Sequence, residues 1–270
     1  MTRVLQISDP HFGTEQPHVM RALLRFAHDQ QPEVTLLTGD ITQRARRAQF
    51  SAASAFVRQL PEPVLAVPGN HDIPLFNLLA RMLNPYGNYK RAFGNELEPE
   101  YESDRLLVIC LNTSRPSRHK DGEVSSAQIE RVARRLREAR PEQLRLVMQH
   151  HPVRAREKSD LTNLLIGYQT AVPTWVDAGL DLLIGGHIHL PYVWPLHGHQ
   201  GEAGRRGWTA QAGTALSTRV RAGIPNSVNL IVHDCEHGQH HCRVERWDYN
   251  AQEDLFMPAH KNTLVISRQG

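Results

Sequence analysis

The chain has 270 residues, 40% of them hydrophobic and 22% charged, which is enough to bury a sizeable core and excludes a collagen, a coiled coil or a largely disordered chain. Its 31 Lys and Arg against 28 Asp and Glu leave a surplus of +3, too small to mark a nucleic-acid binder, although the charge still accommodates an anionic ligand. Sixteen histidines beside a 6% aromatic content direct the search to metal ligands before stacking platforms.

The chain enters a strand at once, Val4 to Ile7, with no basic segment followed by a long apolar one, so no signal peptide is expected. Apolar branched runs at Val34–Leu37, Val64–Val67, Leu106–Leu111, Leu144–Met148 and Leu180–Ile184 predict further buried strands. Helices are predicted at Pro17–Asp29, where Met20, Leu23, Leu24 and Ala27 share a face, at Ser51–Leu60, and at Ser125–Arg140 behind a Ser125-x-x-Gln128 capping box. Strand and helix alternate, which predicts a mixed or parallel sheet. After residue 207 the texture turns to β, with strands expected at Trp208–Leu216, Val228–Asp234, Arg243–Tyr249 and Thr263–Ser267, a turn at His237-Gly238, and a second, antiparallel-rich sheet built from them. Residues 84–104, 112–124, 152–170 and 195–207 read as long irregular loops. With no linker or repeat, one domain over 1–270 is expected, with residues 74–104 as a cap or interface insertion. The longest apolar runs are strand length, far short of a membrane span of about 20 residues. Three cysteines give no disulfide framework and point to the cytoplasm.

Polar residues stand where the apolar strands stop. Asp9 and His11 have the i, i+2 spacing that lets an extended segment aim both at one ion, although about one Asp-x-His is expected by chance in such a chain. Thr38-Gly39-Asp40 ends the second strand and Pro68-Gly69-Asn70-His71-Asp72 the third, and each alone also fits a helix cap or a turn. His150-His151-Pro152 and Gly186-His187-Ile188-His189 end two more. Strand carboxyl ends in open α/β sheets are where ligands bind, so five such ends converge on one edge. Carboxylate, imidazole and amide donors without thiolate suit Mn, Fe, Zn, Co or Ni. Seven candidate ligands exceed the needs of one ion and suggest two ions clamping a phosphoryl group.

The ordered set Asp9-x-His11, Gly39-Asp40, Gly69-Asn70-His71-Asp72, His150-His151-Pro152 and Gly186-His187-x-His189 resembles the calcineurin-like metallophosphoesterase superfamily. The resemblance implies an α/β fold, a four-layer α/β/β/α sandwich of two mixed sheets flanked by helices. It further implies two divalent or mixed-valence ions (Mn, Fe or Zn). Asp9, His11 and His189 would hold one, Asn70, His150 and His187 the other, and Asp40 would bridge both, with a bridging hydroxide attacking the phosphorus. His71 would touch the phosphate and protonate the leaving oxygen, with Asp72 orienting its ring, and His151 would stand behind the ligands.

In motif style the chain is similar to bacterial class III cyclic-nucleotide phosphodiesterases, which implies a small anionic phosphodiester as substrate, first of all a 3',5'-cyclic nucleotide. Nucleases of the SbcD type, UDP-diacylglucosamine-type pyrophosphatases and a non-catalytic scaffold are the alternatives, with nucleic acid not favoured as a partner. Basic residues on the loops, Arg44, Arg46 and Arg47, then Arg115, Arg118 and Lys120, then Arg154, Arg156 and Lys158, are expected to rim the site, with Arg44 as the phosphate contact. Leu75 to Leu83 is apolar nearly all round and reads as core or active-site cap, as a homodimer face or as an acyl-chain contact. His233, Cys235 and His237 with His240, His241 and Cys242 match no zinc module and read as a hairpin with surface histidines, Cys235 facing Cys242.

Overall fold

In the computed structural model, which describes residues 1–266 and Arg268, the chain runs β1 (Thr2–Ile7), α1 (Pro17–Gln30), β2 (Val34–Thr38), α2 (Arg47–Val57), β3 (Val64–Val67), α3 (Leu78–Leu83), α4 (Gly87–Phe93), β4 (Glu100–Glu102), β5 (Leu106–Cys110), α5 (Ser126–Arg137), β6 (Leu144–Met148), α6 (Tyr168–Asp177), β7 (Leu182–Gly185), β8 (Tyr192–Gly198), β9 (Gly201–Gln211), β10 (Ser227–Glu236), β11 (Gln239–Asn250) and β12 (Leu255–Leu264), with 3-10 turns at Asn70–Asp72 and Lys158–Asn163. Two six-stranded sheets result, ordered β12-β11-β10-β1-β2-β3 and β4-β5-β6-β7-β9-β8.

Alternation along each strand explains the layering. Val4, Val34, Leu36, Val108, Leu146 and Ile184 point between the sheets into a shared apolar layer. Their neighbours Leu5, Ile7 and Leu37 face outward under α1 and α2, and Leu107, Ile109, Val147 and Leu183 face outward under α5 and α6. Strands apolar on both faces belong inside a sandwich, and the four layers are α/β/β/α. The Ser125 box forms as predicted, with Ser125 Oγ accepting from Gln128 N at 3.2 Å and Ser125 N donating back to Gln128 Oε1 at 3.0 Å.

The C-terminal strands do not build a sheet of their own. β10 pairs antiparallel with β1, carrying β11 and β12 into the first sheet, while β9 pairs parallel with β7 in the second. Residues 195–207, expected as loop, form most of the β8–β9 hairpin, where Pro195 is tolerated because β8 is an edge strand. α6 arises within and beyond the loop expected at 152–170 despite Pro173 inside it, and α4 and β4 lie within 84–104. The expected strand Thr263–Ser267 is the end of β12, and Ser267 lies outside the described residues. The apolar segment of residues 75–83, which includes α3, is not core: Phe76, Leu79 and Met82 are 80%, 69% and 80% exposed. Cys235 pairs in register with His240 and Cys242 with His233, so the two cysteines do not face each other. Among the described residues, no helix is long and apolar enough to cross a membrane.

Candidate metal centre

β1, β2 and β3 are mutually parallel in one sheet, and β5, β6 and β7 in the other. Asp9, Asp40 and Asn70 follow the first three and His150 and His187 the last two, so five strand ends deliver their polar residues to one edge. The backbone there is unusual. Asp9, His11, Asp40, His187 and His189 all have φ between 46° and 72°, the left-handed region that non-glycine residues seldom enter and that clusters at functional sites. Close approach is enforced by glycine: a Cβ on Gly69 would lie 2.2 Å from Asp40 Oδ1, and one on Gly186 2.2 Å from Asp9 Oδ2.

The donors form two groups. In one, His189 Nε2 lies 3.2 Å from Asp9 Oδ1 and 3.0 Å from His11 Nε2. In the other, the His150 and His187 rings lie 5.1 Å apart, and Asp40, Asn70 and His187 line one cleft. The Asp40 carboxylate spans them, with Oδ2 3.8 Å from His11 Nε2 and Oδ1 3.3 Å from His150 Nε2. His150 and His189 each donate Nδ1–H to a backbone carbonyl, of Thr38 at 2.8 Å and of Arg219 at 2.7 Å, which turns Nε2 toward the cluster. Asn70 Oδ1 and His187 Nδ1 are buried and have no hydrogen-bond partner among the described residues, and His150 Nε2 faces the Asp40 carboxylate. These unpaired polar atoms and imidazoles beside two buried carboxylates fit divalent ions in donor type and in number.

The electrostatics agree. Burial raises the Asp9 pKa, but the His189 imidazole outweighs it and holds the carboxyl down at about 2. Burial opposes the charge of Asp40 in the same way, and His150 keeps it well below the carboxylate range. Burial depresses the His150 imidazole, yet Asp40 lifts it to about 9. Two buried anions therefore draw positive charge to this edge, and a metal ion would supply the same charge more compactly.

One residue has a different role from the one expected. Asp72 does not orient the His71 ring: its carboxylate accepts from the backbone N–H of Gly69, Ile41 and Thr42 and from Thr42 Oγ1, at 2.8 to 3.0 Å. It braces the loops after β2 and β3 against each other, while His71 Nδ1 donates to Gln43 O at 2.9 Å. His151 has both ring nitrogens engaged, by Thr113 Oγ1 and Lys120 O, so it offers no free lone pair. The Arg44 guanidinium packs over the Phe76 ring at 5.6 Å, beside a narrow cleft that also reaches His71.

The cleft over the cluster, about 590 Å³, is lined by His71, His119, Lys120 and Arg219 among others. Arg219 was not legible in the motifs. It follows β9 in a loop, and its Nη1 lies 3.3 Å from His71 Nε2, His11 Nε2 and Gln43 Oε1, with no carboxylate partner among the described residues. Of the other basic loops, Arg115 is tied to Asn112 O, Ser114 O and Gln128 Oε1 and Arg118 to Glu123, while Arg156 faces a different cleft.

The calcineurin-like phosphoesterase family pattern matches residues 2–191, well over half of the chain. The chain belongs to that family. Its sequence is similar to a probable cyclic nucleotide phosphodiesterase of Synechococcus sp., 26% identical over 70% of this chain and 74% of the relative. It is also 26% identical to the 3',5'-cyclic adenosine monophosphate phosphodiesterase CpdA of Escherichia coli K12, over 57% of this chain and 56% of that enzyme. Among solved structures, a purple acid phosphatase from yellow lupin seeds superimposes with a TM-score of 0.70 at 10% identity, over 98% of this chain and 54% of that one, which shows a shared fold. Membership makes the protein a phosphoric ester hydrolase of a metal-dependent family. The ligand groups above lie within the matched segment, whereas Arg219 lies outside it.

Proposed function

We propose that this protein is a two-metal phosphodiesterase whose substrate is a small anionic phosphodiester, first of all a 3',5'-cyclic nucleotide. The observation that carries the reading is the Asp40 carboxylate set between two imidazole groups, with orphaned donors lining the same cleft. Asp9, His11 and His189 would hold one divalent ion, Asn70, His150 and His187 the other, and Asp40 both. Such a pair supplies Lewis-acid charge and an activated water. The chain's own residues do the rest. Arg219 and Lys120 neutralise the diester on the open side of the cleft. His71, its ring fixed by Nδ1–H donated to Gln43 O, presents Nε2 to the cleft and, in its doubly protonated form, gives the Nε2 proton to the departing oxygen. Asp72 and His151 hold the loops that carry these groups. The names of the Synechococcus and Escherichia coli relatives support a cyclic nucleotide as the diester, and three free cysteines suit a reducing cytoplasm.

The test is hydrolysis of bis(p-nitrophenyl) phosphate and cyclic AMP by metal-stripped protein reconstituted with Mn, for wild type and His71→Ala. Both substrates should turn over. The variant should keep its metal and lose about 10²- to 10⁴-fold in kcat on cyclic AMP, but less on the aryl ester, whose leaving group needs no proton. No Mn-dependent turnover of either substrate defeats the reading. Turnover of the aryl diester alone moves the substrate to a nucleic acid or a nucleotide-linked lipid diphosphate.

A further inference from the structure

The two sheets diverge at the side where β8 edges one and β12 the other, and a second cleft of about 470 Å³ opens between them. It shares no lining residue with the cleft over the metal ligands. Its lining is polar at three strand positions, Gln211 from β9, Asn229 from β10 and Asn262 from β12. Gln211 is 1% exposed, and neither Oε1 nor Nε2 of its amide has a hydrogen-bond partner among the described residues. A buried amide with both ends unpaired is unfavourable, and this one lines the cleft, where a bound group could pair it.

The walls say what that partner is. Tyr192 and Trp194 stand on β8 with ring centroids 5.1 Å apart, and the Arg154 guanidinium lies 5.4 Å from the Trp194 ring. Arg156 lines the mouth, and Arg246 the opposite sheet, where Asp248 takes its Nε and Nη2. Planar aromatic surface, amides that both donate and accept, and guanidinium groups recognise a flat heterocycle joined to a phosphate. We propose that this cleft is a second ligand site that takes a nucleoside monophosphate, its base against Trp194 and the Gln211 amide and its phosphate on Arg156 and Arg246. The proposal does not depend on the cyclic-nucleotide reading of the metal centre, because the two clefts share no lining residue.

The experiment titrates AMP, adenosine and inorganic phosphate calorimetrically into full-length protein kept in EDTA, for wild type, Asp40→Ala, Trp194→Ala, Arg156→Ala and Gln211→Leu. AMP should bind wild type and Asp40→Ala alike, one per chain. Trp194→Ala and Gln211→Leu should each weaken it about tenfold, and Arg156→Ala should remove the advantage of AMP over adenosine. Mn-dependent turnover of the aryl diester by Trp194→Ala and Arg156→Ala at the wild-type rate shows that both are folded. The proposal is overturned if AMP does not bind, if Asp40→Ala abolishes binding, or if the Trp194 and Gln211 variants bind as wild type. Phosphate binding as tightly as AMP overturns it too, since the site then reads only the anion.

Discussion

At the scale of single residues, the decisive contrast is between Arg44 and Arg219. Both are arginines on loops near His71, but Arg44 lays its guanidinium on Phe76 while Arg219 reaches within 3.3 Å of His71 Nε2. A charged hydrogen bond to substrate is worth about 1.5 to 3 kcal/mol. Arg219→Ala is therefore expected to lower kcat/KM for an anionic diester about 10- to 100-fold with metal content unchanged, while Arg44→Ala stays within about twofold. Steady-state kinetics with metal analysis decides, and loss of metal from the Arg219 variant would make it a structural residue instead. The seven candidate ligands were legible because each follows an apolar strand, and the chemistry of a strand end is local. Arg219 was not, because it sits 30 positions beyond His189 in a loop with no pattern of its own, and only the return of β9 beside β7 brings it to the site. Asp72 was misread for a related reason. Sequence adjacency to His71 suggests a ring partner, whereas the 3-10 turn at Asn70–Asp72 points the carboxylate back at backbone amides.

At the scale of elements, the strands and the first helices were legible from periodicity and caps, and the misses share a physical cause. Proline is read as a stop, yet Pro173 sits inside α6 and Pro195 in an edge strand that needs no donor there. The β10–β11 hairpin carries its own titration. Across it, His233 Nε2 lies 2.9 Å from His240 Nδ1 with the rings stacked, and His233 Nδ1 is buried without a partner among the described residues. Burial, with His240, Arg268 and Arg105 nearby, holds the His233 imidazole down at about 3 against only Asp234 on the other side. The folded hairpin thus keeps His233 neutral, while the unfolded chain takes up a proton near pH 6.5. Its contribution to stability is full above pH 6.5 and shrinks as the pH falls toward 3, by up to about 2 kcal/mol at pH 5. His233→Leu should flatten the fall in the urea-unfolding free energy between pH 7.5 and pH 5 by about that amount. An equal fall in both proteins would show that the imidazole is solvated.

At the scale of the whole molecule, the sandwich was legible as two apolar layers but its closure was not, because long-range pairing of β10 with β1 and β9 with β7 leaves no local mark. That pairing also creates a polar file through the apolar interior. Asn229 Nδ2 on β10 donates to Gln6 Oε1, Gln6 Nε2 to Thr38 Oγ1 and Gly185 O, Thr38 Oγ1 to Ser8 Oγ, and Ser8 Oγ to Asp9 Oδ2. The file runs through the first sheet, with one branch to Gly185 O of the second, and ends on a candidate metal ligand, so it holds the rotamer of Asp9. Support behind a ligating carboxylate is worth about 10- to 100-fold in metal affinity. Thr38→Val keeps the volume of the side chain and removes the hydroxyl that joins Gln6 to Ser8, and it should weaken Mn binding about tenfold. Val4→Ala is the control: it opens the same layer without touching the file. It should cost about 2 kcal/mol of folding stability and leave Mn affinity where it was. If the two variants lose Mn affinity in proportion to their stability, the interior acts on the metal centre only by holding the sheets together, and the hydroxyl file orients nothing.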